Sequence, residues 1–156
     1  MSLSDIIHER VVKMKVRSQS KAHAIEELVD LVIESGDLPM SLRAHAIETI
    51  AEREKIIGTG MENGVALPHG STDRVDTIIG ALGIAPAGVN FDSIDGEPAT
   101  IIVLLLIPRK SFQEHIRAMA AIARVMNEEA NRKAFLAAKT PAEIIQLIEK
   151  IEGHGG

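Results

Sequence analysis

The chain has 156 residues, of which 46% are hydrophobic and only 2% aromatic, with a formal net charge of −5 and no cysteine. That length suits one domain around one core, and with three Phe, no Trp and no Tyr the core must be built from Ile, Leu, Val, Ala and Met. The composition argues against a base-stacking nucleic-acid platform, which needs aromatic faces, and against a phosphate-backbone binder, which needs basic charge; it excludes disulfides, thiolate catalysis and Cys-type zinc sites.

In chain order, the start MSLSDIIHER carries Asp5 and no long apolar run, so it does not read as a signal peptide. VVKMKV (11–16) alternates, with Val12, Met14 and Val16 on one face, and predicts a strand. SKAHAIEELVDLVIESG (20–36) places Ala24, Ile25, Leu28, Val29 and Val32 at helical spacing, with Gly36 as the stop. Residues 40–54 repeat the pattern with Leu42, Ala46, Ile47 and Ile50. A glycine-punctuated loop, IIGTGMENG (56–64), leads to a short strand ending at Pro68, then to a strand at TIIGALGIA (77–85). ATIIVLLLIP (99–108) is the most apolar run; it is far short of the roughly 18 residues that span a bilayer and predicts a central buried strand.

The C-terminal third predicts helices. Ser111 and Glu114 have capping-box spacing, as do Thr140 and Glu143, with Pro141 at a first helical position. Residues 128–138 predict another helix or a continuation, and GHGG at 153–156 predicts a disordered tail after a single domain at 1–152. Strand, two helices, several strands, then two or three helices imply an α/β sandwich: a mixed sheet flanked by helices. The expected compartment is the cytoplasm, with no direct membrane insertion.

Six histidines fall at 8, 23, 45, 69, 115 and 154. His8, His23 and His45 occupy polar positions and read as surface residues; His154 lies in the tail. His69 sits between Pro68, which cannot donate to a sheet ladder, and Gly70, which lets the chain turn away. Its imidazole would project from a strand end, although on spacing alone a plain turn histidine is the commoner case. His115, in a helix first turn, shares a stripe with Met119, Ile122 and Met126. Its bland reading is a partly buried, satisfied histidine, and its chemical one is a group beside a helix N-terminus that suits an anion. Arg53 ends a helix, where a cation suits the dipole, and its guanidinium could also grip a phosphate. HExxH, GxSxG, P-loop and dinucleotide fingerprints are all absent, which weakens metal, hydrolase and nucleotide readings; Ser71 or Thr72 beside His69 does not rescue the hydrolase one.

REKIIGTGMENGVALPHG (53–70) resembles the signature of the fructose/mannitol-type enzyme IIA domain of the phosphoenolpyruvate-dependent sugar phosphotransferase system, a family that includes nitrogen-regulatory members. The matching residues are Arg53-Glu54, Thr59-Gly60, Asn63-Gly64 and Val65 through Gly70, without a gap. FDSIDGEPATIIVLLLIP (91–108) is similar to the family's following turn and central strand, His115 falls at the family's second histidine, and the similarity spans about residues 3–150. Glu62 departs from the pattern, where many members carry Gly.

The resemblance implies the mannitol/fructose IIA fold and a phosphocarrier. His69 would accept a phosphoryl group from the carrier protein HPr and pass it to a IIB domain. Arg53 and His115 would hold the phosphate oxygens, and Thr59 with the glycine-loop backbone, including Gly60, would add hydrogen bonds. Neither metal nor organic cofactor is implied. The alternative within the resemblance is a regulatory protein whose phosphorylation state controls a bound partner. A degenerate, purely structural domain is a third reading, against which Arg53, His69 and His115 together speak. No residue encodes a sugar, because such domains touch the phosphate.

Overall fold

The computed structural model describes residues 1–56 and 60–155. Thr59 of the glycine loop lies outside the described residues.

Among the described residues, five strands and five α-helices follow in order, besides three short 3-10 turns. Strand β1 is Val12–Lys13, helix α1 Lys21–Glu34, helix α2 Arg43–Ile56, strand β2 Val65–Ala66 and strand β3 His69–Thr72. Strand β4 is Ile79–Val89, strand β5 Ala99–Pro108, and helices α3, α4 and α5 are Phe112–Met126, Glu129–Ala137 and Pro141–Gly155. The sheet is mixed: β4 pairs antiparallel with β5, while β1 joins β4, and β2 and β3 join β5, in parallel. Helices α1 and α2 pack on each other and on β4 and β3; α3, α4 and α5 pack together, with α4 against β4 and β5. This is the α/β sandwich expected.

β5 earns its central place by composition. Ile101 through Ile107 are each at most 2% exposed, the pattern of a strand covered on both faces. α1 forms where expected: Ser20 caps it by accepting from the His23 N–H (3.3 Å), and Ala24, Ile25, Leu28, Val29 and Val32 face the core. At its end Gly36 adopts φ +87, a conformation that costs other residues strain, and the N–H groups of Asp37 and Leu38 return to the Val32 carbonyl.

Four expectations need correction. The alternating run at 11–16 forms a strand of only two residues, because β4 offers pairing at Leu82 and Gly83; Val16 adds one further bond to the Ile84 carbonyl (2.8 Å). Ser111 makes no side-chain cap. Its N–H closes a turn onto the Pro108 carbonyl (3.0 Å), which leaves the backbone at φ −104, ψ 55, outside the extended geometry a capping hydroxyl needs. At Thr140 the box is displaced: Thr140 Oγ1 accepts from the Glu143 N–H (3.2 Å), but the Glu143 carboxylate accepts from Lys139 (2.8 Å). The expected tail is helical as far as Gly155, carried on by the i→i−4 ladder of α5.

Candidate functional site

Pro68 interrupts the sheet on one side only. It has no N–H to donate, so β2 stops, yet its carbonyl accepts from the Leu105 N–H (3.0 Å) and keeps β5 in register. The chain therefore does not leave the sheet at His69. It re-enters as β3, pairing His69 with Leu105 through Thr72 with Pro108. His69 stands at the start of a strand, not beyond the end of one, and its mainchain is anchored by pairing to the most buried strand of the protein.

Alternation along β3 decides what each residue faces. Gly70 and Thr72 are buried, and both point at α2; His69 and Ser71 are half-buried. A Cβ on Gly70 would lie 2.8 Å from Thr49 Cγ2 and 3.2 Å from the Thr49 carbonyl, so only glycine lets the helix settle this close. Arg53, one turn further along α2, thereby reaches the mouth of the site. His115 approaches from α3. Its ring meets that of His69 edge to face, with centroids 5.5 Å apart and planes at 71°.

A cleft of about 290 Å³ results, lined by Thr49, Arg53, His69, Gly70, Ser71 and His115. Three residues singled out in the sequence, Arg53, His69 and His115, thus converge from a helix, a strand and a second helix. Gly60 does not join them: it is buried, bridges to Ala66, and a Cβ there would meet the Phe91 carbonyl at 2.5 Å. Thr49 and Ser71 are additional lining residues. Helical and strand periods could have found them, since Thr49 stands one turn before Arg53 and Ser71 two residues after His69.

The His69 ring has a defined tautomer. Its Nδ1 lies 2.8 Å from the Leu67 carbonyl, an acceptor only, so Nδ1 carries the proton and donates. Nε2 is left with its lone pair, and among the described residues no hydrogen bond occupies it. Burial pushes the His69 pKa below its ordinary value. The bond to Leu67 opposes this, Arg53 and His115 push the same way as burial, and Glu54 opposes weakly. His115 is also shifted down, by burial first and then by Arg53. Both imidazoles are therefore neutral near pH 7. The site can present a neutral nitrogen nucleophile beside a guanidinium, which matches the needs of transferring an anionic group.

His45 departs from its surface reading. It is half-buried and its Nε2 lies 2.6 Å from Oγ1 of Thr72, which is 2% exposed. Among the described residues no group of three or more His, Asp or Glu side chains could hold a metal ion, and no helix is long and apolar enough to cross a membrane.

Comparison with known proteins places this arrangement. The family described as "Phosphoenolpyruvate-dependent sugar phosphotransferase system, EIIA 2" matches residues 5–151. The nitrogen regulatory protein of Escherichia coli (strain K12) is 28% identical over 155 residues, covering 98% of this chain and 93% of that protein. A fructose-specific EIIA component from Haloferax volcanii is 26% identical over 149 residues, covering 96% of each chain. Among solved structures, the nitrogen regulatory protein IIA-Ntr from Neisseria meningitidis superposes with a TM-score of 0.85 at 26% identity, over 94% of this chain and 98% of that one.

Proposed function

We propose, from the premise that this chain belongs to the phosphoenolpyruvate-dependent sugar phosphotransferase system EIIA type 2 family, that it is a phosphohistidine carrier reacting at Nε2 of His69. The observation that carries this reading is the His69 Nδ1–H bond to the Leu67 carbonyl at 2.8 Å, because it leaves the lone pair on Nε2 of a residue that lines the cleft.

The step balances without an added acid or base. The Nε2 lone pair forms a bond to phosphorus while the donor's P–N bond breaks, and that electron pair returns to the donor imidazole. The positive charge left on the His69 ring sits on the side whose N–H faces the Leu67 carbonyl. Arg53 and His115 act on the phosphoryl oxygens, the first through charge and paired N–H donors, the second as a neutral donor. Thr59 remains a candidate for a further hydrogen bond. The donor is the phosphorylated carrier HPr, and the acceptor is a IIB domain.

Partner docking has a surface to use. Of the three Phe, Phe91 and Phe135 are fully buried, but Phe112 is 71% exposed. Ile116 is 53% exposed one turn later, so two apolar side chains flank His115 in the first turns of α3.

The test is incubation with phosphoenolpyruvate, enzyme I and HPr, followed by intact mass, with His69→Ala in parallel. One acid-labile phosphoryl group on the wild type and none on the variant is the expected result. No gain on the wild type, with HPr itself charged, would overturn the reading. A second role for the same site is regulatory: binding a partner according to phosphorylation state. Similarity to nitrogen regulatory proteins over nearly the whole of both chains supports it, as the equally extensive similarity to a fructose-specific EIIA component supports the uptake role. Transfer onward to a IIB cysteine supports the uptake role, and phosphorylation without onward transfer supports the regulatory one.

A further inference from the structure

Helix α2 lies along β3 like one edge of a ladder. His45, Thr49 and Arg53 fall at i, i+4 and i+8, one side chain per turn. Opposite them, read backwards along the strand, come Thr72, Gly70 and His69. His45 bonds Thr72 at 2.6 Å. The Thr49 methyl and carbonyl fill the space a Gly70 side chain would need. Arg53 shares the cleft with His69. The lengths agree: eight helical residues rise about 12 Å, and three strand residues about 10 Å.

Along this contact the forces differ in kind. Ala46 and Ile50, at most 1% exposed, bury the helix and set its height over the sheet. Apolar burial is non-directional and does not by itself single out one position along the strand. A short hydrogen bond does, because its strength depends on distance and angle. Thr72 is itself held in place. Its Oγ1 accepts from the Arg74 N–H (3.1 Å), its carbonyl accepts from the Arg109 N–H (2.9 Å), and it pairs with Pro108 of β5.

We propose that His45 is a positioning residue for phosphoryl transfer: its hydrogen bond to Thr72 sets the axial register of α2 on β3 and thereby holds Arg53 at the His69 phosphoryl site. The proposal rests on His69 being the phosphoryl acceptor. His45 touches neither phosphate nor His69; it acts through the helix. The charged and titratable groups that act on His69 are Arg53 and Glu54 from α2 and His115 from α3. A displacement of α2 is therefore reported by His69 itself.

The experiment compares His45→Leu and Thr72→Val, which remove the bond at similar volume, with His45→Gln, whose amide can restore it. Two readouts are taken: single-turnover transfer from phosphorylated HPr, and the His69 titration midpoint by NMR on the unphosphorylated chain, with Arg53→Ala as the reference for a lost guanidinium. For His45→Leu and Thr72→Val the maximal transfer rate should fall about tenfold, as expected for a misplaced catalytic group, with the half-saturating HPr concentration unchanged. The His69 midpoint should rise toward that of Arg53→Ala, and His45→Gln should restore both. Transfer at the wild-type rate in both bond-breaking variants, or a slow rate with an unmoved His69 midpoint and no rescue by Gln, would overturn the proposal. If the wild type accepts no phosphoryl group, the phosphocarrier reading fails separately, and the NMR midpoints still decide whether His45 holds Arg53 in place.

Discussion

The imidazoles of His69 and His115 meet edge to face at 5.5 Å, one from the first residue of β3 and the other from the first turn of α3. Neither ring is required by the core, and both have pKa values lowered by burial. In the proposed reaction His115 is thus a neutral donor next to Nε2 of His69. His115→Ala should leave His69 able to accept a phosphoryl group but slow onward transfer on the order of a hundredfold. Rapid-quench transfer to a IIB domain measures this, and an onward rate equal to that of the wild type would contradict the assigned role.

Arg53 both lowers the His69 pKa and lines the cleft. Arg53→Gln should therefore raise the His69 titration midpoint in NMR while slowing phosphoryl acceptance. Arg53→Lys keeps the charge and loses the fork geometry. It should hold the midpoint near the wild-type value yet recover only part of the rate.

The pH dependence has a definite sign. Because the folded His69 pKa is depressed below its ordinary 6.5, the native state binds that proton more weakly than the unfolded chain. Stability from this group is fully present above about pH 6.5 and is lost as pH falls through that value toward the lower folded pKa. Phosphoryl acceptance should follow the neutral ring, rising with pH and levelling off near neutrality. Urea midpoints at pH 7.5 and 5.5 should differ more for the wild type than for His69→Asn.

Gly70→Ala places a methyl 2.8 Å from Thr49 Cγ2 and 3.2 Å from the Thr49 carbonyl. Thr49 is β-branched, with restricted χ1 freedom, and the carbonyl belongs to the helix, so α2 must move. A loss of about 1–3 kcal/mol is expected, read by denaturant unfolding, together with slower acceptance at His69. Unchanged stability would mean that α2 yields more freely than its packing suggests.

Phe112 offers the opposite test. At 71% exposure its truncation removes little from the folded core. Phe112→Ala should shift stability by less than about 0.5 kcal/mol while raising the HPr concentration needed for half-maximal transfer. Wild-type transfer kinetics would remove this face from the docking surface.

Much of the fold was legible in the chain because its signals are local. The stripe from Ala24 to Val32 and the stop at Gly36 concern neighbours on one helix, and both appear in α1. The apolar run of β5 could hardly sit anywhere but the centre. The motif from Arg53 to Gly70 likewise marked Arg53 and His69, which the cleft brings together with His115.

What the tertiary structure decided were contacts that no local pattern encodes. Pro68 reads as a strand end because it lacks a donor, but its carbonyl still finds Leu105 on β5, so β3 continues. Ser111 has capping-box spacing, yet a turn onto Pro108 sets its backbone otherwise. His45 reads in sequence as one more polar surface residue, and nothing local pairs it with Thr72; only the laying of α2 on β3 brings them within 2.6 Å. Sequence by itself determined most of the elements and marked the residues to watch, Arg53, His69 and His115, since periodicity, turn chemistry and a contiguous motif are all written between near neighbours. Only the packed structure decided which nitrogen of His69 is free and what holds Arg53 beside it, because those depend on hydrogen bonds and close approaches made possible by the assembled sheet and helices.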